Sequence, residues 1–306
     1  MGTTEIKESS VIQSVQENEP PDIATPPSNR GNTGAAPCPT CASAANGAPR
    51  AFIYALGRID ARFPNLSAEK EFAQVGGREN FEKTRGLPDQ ELFHAILSKR
   101  ENRYLARQLC WVFTIGGLET YLLLPRDPTD LDLLIEAVRP APSPLDMDIV
   151  IGVRGPIAPP EMCNGLLVPI VAFDQIYSFD REGLLKSIPK PEKAGKEHTA
   201  AAAEVLDRIL QMADNAGATD EHRALNYLLV RYPGIYAATT DAFARNCSLT
   251  AVDVTPSPLS GTRKLVDVVF THTNRNTDVS EKCACRVDVT EEFPFLARKM
   301  SPYYDR

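Results

Sequence analysis

The chain has 306 residues, 43% of them hydrophobic, and its 33 Lys and Arg against 40 Asp and Glu leave a net charge of -7. That balance excludes a phosphate-tracking nucleic-acid binder, which needs a basic stripe, and no run approaches the roughly 18 apolar residues of a membrane span. At roughly 100–200 residues per domain, the length fits one large domain or two small ones.

Residues 1–50 differ in kind from the rest. Seven of the 25 prolines fall there, and no aromatic residue does. Such a segment offers too little burial to offset its ordering entropy, so it reads as a disordered, Pro-rich N-terminal tail or linker. Its opening, MGTTEIKESSVIQS, lacks the basic and apolar regions of a secretion signal, so the expectation is a cytoplasmic protein.

From Phe52 onward the pattern is globular. AFIYALGRI predicts a strand. Ser67 is the expected cap of a helix through SAEKEFAQ, and Leu87-Pro88-Asp89 opens another through ELFHAILSKR. LCWVFTI and LETYLLL flank Gly116-Gly117, which predicts a two-residue hairpin. Asp130 is the expected cap of a short helix, LDLLIEAV. MDIVIGV and LLVPIVAF read as strands, and Pro169 assigns the second to an edge or a bulge. His198 to Asn215 carries Val205, Leu206, Ile209 and Met212 on one face, with Gly217 as its stop. Thr219 caps the next helix and Pro233 begins another. Leu249 to Val254, Lys264 to His272 and Val279 to Val289 predict a three-stranded meander. The fold class is therefore α+β: hairpins and an antiparallel meander with a central group of helices, over residues 51–306.

Phosphate-loop, dinucleotide, HExxH and GxSxG motifs are missing from the sequence. Seven cysteines, an odd number in a long chain, argue against a disulfide framework. Cys38 and Cys41 form a CxxC, and Cys283 and Cys285 a CxC. Together they could give zinc four thiolates; packing, or redox use of the CxxC, is the other reading. Cys110, Cys163 and Cys247 read as packing residues. Asp127, Asp130 and Asp132 cluster, and Asp146 and Asp148 alternate along a strand. That alternation suits a hydrolase or Mg²⁺ site, or a solvated edge. His94 reads as a partly buried helix residue. His222 sits in a helical first turn behind Asp220 and Glu221, as a structural residue or a catalytic one.

Longer runs carry a resemblance. YALGRIDARFPNLSAEKEFAQ, NRYLARQLCWVFTIGGLETYLLLPRDP, VIGVRGPIAPPEMCNGLLVPIVAFDQIYSF, QMADNAGATDEHRALNYLLVRYPGIYA and VDVTEEFPFLARKMSPYYDR resemble the C-terminal domain of the cyanobactin maturation proteases PatG and PatA. The resemblance spans about residues 51–306. It implies a place in the biosynthesis of ribosomally made, post-translationally modified peptides, without the subtilisin-like protease, whose nucleophile segment has no counterpart here. The expected function is a non-proteolytic accessory or binding module for a precursor peptide or a protease or modifying enzyme of the same cluster. The alternative is a hydrolase or peptide-modifying enzyme with a site of acidic residues and His222.

Overall fold

Strand β1 (Phe52–Arg62) is long enough to pair on both sides, with β2 (Cys110–Ile115) along one half and β4 (Asp146–Ile157) along the other. β2 turns into β3 (Leu118–Pro125) through Gly116 and Gly117, both at positive φ, as the Gly-Gly hairpin requires. β5 (Pro169–Asp180) pairs antiparallel with β4 and parallel with β3, which closes a five-stranded barrel in the order β1-β2-β3-β5-β4. Closure demands close backbone approach at two glycines. A Cβ on Gly57 would strike the Thr114 carbonyl, and one on Gly152 would strike Ala172 and Phe173 of the neighbouring strand. The computed structural model describes residues 51–77, 89–141, 143, 146–187, 196–210 and 214–304.

Alternate residues divide between two sides of the barrel wall. Ile53, Ile59, Trp111, Phe113, Leu123, Val150 and Phe173 fill the interior. The segment between β1 and β2 adds helices α1 (Leu66–Gly76), α2 (Asp89–Leu97) and α3 (Arg103–Ala106) to that core, where Phe63, Phe72 and Phe93 meet at 5.0–5.3 Å between rings. The cap of α1 is Asn65 and not Ser67: its side chain accepts from the Ala68 N–H. Helix α4 (Leu131–Ala137) lies between β3 and β4, and the capping box before it is made by Asp127, with Asp130 reaching back. A helix between β3 and β4, with parallel β3 and β5, is the connectivity of an OB barrel.

The chain then runs through α5 (Arg181–Ser187), α6 (Lys196–Leu210), α7 (Asp220–Arg231) and α8 (Gly234–Ala244) into an open sheet ordered β6-β7-β8-β9. β6 (Cys247–Pro256), β7 (Leu265–Asn274) and β8 (Ser280–Asp288) are the expected meander; β9 (Phe295–Tyr303) extends it. The second core joins α6–α8 to one face of this sheet and to the outer face of β1 and β4, through Tyr54, Leu56, Ile149 and Ile151. Arg223 of α7, 2% exposed, donates to the Val289 carbonyl at 2.8 Å and to the Glu291 carbonyl. Arg126 at the end of β3 reaches Glu292 at 3.0 Å and Asp174 at 3.1 Å. These two guanidinium groups tie the β8–β9 connection to the helices and the barrel. Among the described residues no helix is long and apolar enough to cross a membrane.

Candidate functional site

The face of the open sheet toward α8 is set by register. Phe270 pairs with Cys283 and His272 with Glu281, and paired residues of antiparallel strands point to the same side. Over them stands the C-terminal half of α8, whose Ala238 and Ala242 are too small to reach the sheet. Met300 and Pro302 of β9 and Tyr304 beyond it form the remaining wall. The result is a cavity of 770 Å³. His272 and Cys283 line it from the sheet, and Ala238, Ala242, Met300 and Pro302 from the helix and β9. Its rim carries Asp241, Arg245 and Glu281.

His272 is 2% exposed, and its Nε2 lies 3.2 Å from Thr239 Oγ1. Burial holds its pKa below the ordinary imidazole range, against the pull of nearby Glu281, so the ring is neutral at pH 7. Arg245 and Glu281 meet at 2.6 Å, and the hydrogen bond from Arg245 keeps the Glu281 carboxyl below its usual range. Both side chains are about half exposed, so water screens the pair and its effect on stability is small. Burial pushes the Cys283 thiol up to about 11 and the Cys285 thiol up to about 12. The Cys283 Sγ is directed at the Phe270 carbonyl, at 3.8 Å. A cysteine nucleophile needs its thiol pKa lowered, and this environment does the reverse.

The residues singled out from sequence are scattered. Cys283 and Cys285 share the helix-facing side of β8, as alternation requires, with Cys283 at the cavity and Cys285 buried in the core. Cys38 and Cys41 lie outside the described residues, among which no group of three metal-capable side chains gathers. Cys110 and Cys163 are not separate packing residues: they form a disulfide, with Cα atoms 5.7 Å apart. Their separation of 53 residues hides this pairing from local reading, because only barrel closure brings the β4–β5 connection over the start of β2.

Asp146 and Asp148 are neither a solvated edge nor an open metal site. They are 5% and 2% exposed and both meet Arg139, at 3.3 and 3.2 Å. Asp148 also accepts from Ser178 Oγ at 2.7 Å and from the Ile59 N–H at 2.9 Å. Its pKa is raised by burial, with these partners opposing. Asp127 caps the turn before α4 and Asp132 pairs with Arg103 at 2.7 Å. His94 is half-buried on α2. Thr219 caps α7 by accepting from the His222 N–H, and burial lowers the His222 pKa. Pro169 begins a strand paired on both sides, so it marks no sheet edge; its place is the first strand residue, opposite Ile157 beyond a register shift. His272, which sequence reasoning passed over, was signalled by period-two alternation in VDVVFTHT, which puts it on the core face with Val268 and Phe270.

Two comparisons place this architecture. Residues 192–303, which hold α6–α8 and the open sheet, match a family model described as PatG C-terminal. A solved structure described as "PatG Domain of Unknown Function" superposes with a TM-score of 0.63 at 19% identity, covering 83% of this chain and 98% of that one. No curated protein matches the chain. The resemblance in the sequence therefore holds in both the family match and the fold.

Proposed function

Starting from a chain that carries a PatG C-terminal domain, we propose that it is a non-proteolytic accessory module of modified-peptide biosynthesis, docking a precursor peptide or a partner enzyme of the same cluster. The observation that supports this reading is the cavity between α8 and the β8–β9 end of the open sheet. A lining of small and apolar side chains beside one imidazole, with charged groups at the mouth, suits one apolar side chain entering while the flanking peptide meets the rim. The cavity chemistry favours reception over bond-making. The thiol faces a carbonyl, the imidazole is buried and engaged by Thr239, and Arg245 and Glu281 neutralise each other.

Strand addition along the sheet edges is the weaker mode. β9 shifts register opposite Cys285 and Arg286, its Met300 N–H is taken by Tyr232 Oη at 2.9 Å, and Pro302 has no N–H. On the other edge, Arg208 of α6 takes the Leu249 and Thr250 carbonyls, both at 3.1 Å. Such devices blunt an edge against pairing.

Ala238→Trp fills the cavity from a half-buried helix position and leaves the rim charges in place. Calorimetry with leader, core and full precursor peptides should show binding to the native chain and at least about a tenfold loss with the variant, equal to 1.4 kcal/mol. Equal affinity of both proteins would remove the cavity from the reading. A cleaved or altered peptide in the mixture, abolished by His222→Ala, would replace it with the enzyme alternative.

A further inference from the structure

Residues 158–168, between β4 and β5, lie across the outer face of β2, β3 and β5. Ala158, Met162, Leu166 and Val168 of this segment pack on Val112, Leu122 and Ile170. In a barrel of this connectivity, that face and this loop bound the usual ligand groove. Here the chain fills the groove with its own segment. Few polar ties hold it down. The Ala158 N–H donates to the Val168 carbonyl across the base of the loop, and Asn164 Nδ2 donates to the Phe63 carbonyl at 3.2 Å. Its tip runs through Cys163, Asn164 and Gly165 at φ of 50, 57 and 81°, a left-handed turn that two non-glycine residues adopt at a cost. The covalent tie is the disulfide from Cys163 to Cys110, the first residue of β2. Cys110 is 3% exposed, whereas Cys163 is only half-buried.

We propose that residues 158–168 form a strap latched by the Cys110–Cys163 disulfide and released when a dithiol reduces it, uncovering the outer face of β2 and β3. The reductant's thiolate attacks Sγ of Cys163, the less buried of the two cysteines. The Sγ–Sγ bond breaks, and Cys110 leaves as a thiolate and takes a proton. The second thiol of the reductant then displaces Cys163 as a thiol. Two electrons and two protons pass to the protein, and the reductant ends as its own disulfide. The barrel interior is untouched, because Val112 and Leu122 face away from Trp111, Phe113 and Tyr121.

Hydrogen–deuterium exchange of the full chain, with and without dithiothreitol, tests this. Reduction should speed exchange of residues 158–168 about tenfold or more while β1 and β4 stay protected. Cys163→Ser should show the fast pattern without reductant. Unchanged exchange after verified reduction would overturn the latch. Faster exchange throughout the barrel, or a Cys163→Ser chain that fails to fold, would also overturn it, making the bond a staple of the fold. Peptide mapping of unreduced protein that finds no Cys110–Cys163 linkage would remove its basis.

Discussion

The closed barrel and the open sheet solve the same problem in opposite ways. Each has an apolar face to cover and backbone edges to satisfy. The barrel closes β3 onto β5 and has no edge, its interior is filled by its own side chains, and helices or the 158–168 segment cover the flanks. The sheet covers one face with α6–α8 and keeps two edges, each blunted by side chains or proline. Closure leaves no slack, so small residues in the barrel are places of close approach. In the open sheet, small residues on α8 leave a cavity instead. Tight packing makes the barrel the scaffold, and the incomplete cover leaves the sheet with the cavity beside α8.

The sharpest way to break this contrast is to place a valine side chain in each region. Gly152→Val puts side-chain atoms into the backbone of Ala172 and Phe173, which cannot move without opening the barrel. The expected loss exceeds about 3 kcal/mol by chemical denaturation. Ala284→Val, on the face of β8 away from the helices, should change stability by less than about 0.5 kcal/mol. Similar costs at both positions would erase the distinction between tight scaffold and tolerant sheet.

A smaller effect separates the two regions by pH. His272 is buried in the sheet region and its pKa is depressed, so the fold refuses a proton that the unfolded chain accepts below its ordinary value of 6.5. Below that value the unfolded state binds more protons, and stability falls as pH drops. Asp148, in the barrel wall, is shifted upward by burial, which has the opposite sign: the stability it contributes is present at low pH and lost as pH rises. Thermal melts between pH 7.5 and 5.5 should therefore decline toward acid for the native chain and decline less for His272→Gln. An identical slope in the variant would show that His272 is not the group responsible; His222, shifted the same way, would then be the next to replace.

The smallest expected effect comes from removing residues 1–41, which takes away Cys38 and Cys41. Their composition predicts little burial, so the melting temperature should stay within about 2 °C. A larger drop, accompanied by loss of one bound zinc per chain in elemental analysis, would instead support the four-thiolate site with Cys283 and Cys285 and add a metal tie to the sheet.

Local chemistry made much of this fold legible. The Gly-Gly hairpin, the Thr219 cap, the helices α1, α2, α4, α6, α7 and α8 and the first three strands of the meander follow from turn residues, caps and periodicity, which act within a few residues; the short helices α3 and α5 carry no such signal. β9 was missed because FLARKMSPY is an edge strand whose charged residues and proline hide the alternation. Thiol spacing could put Cys283 and Cys285 on one face of a strand, but burial depth, which decides what a thiol can do, is set by the helices above it. Barrel closure, the Cys110–Cys163 bond, the capture of Asp146 and Asp148 by Arg139, and the cavity beside His272 all depend on contacts between distant segments. The sequence by itself determined which residues could turn, alternate and cap, because those preferences belong to short stretches of chain. The tertiary structure alone decided which carboxylates are neutralised, which thiols meet and where space remains, because those outcomes depend on what lies opposite.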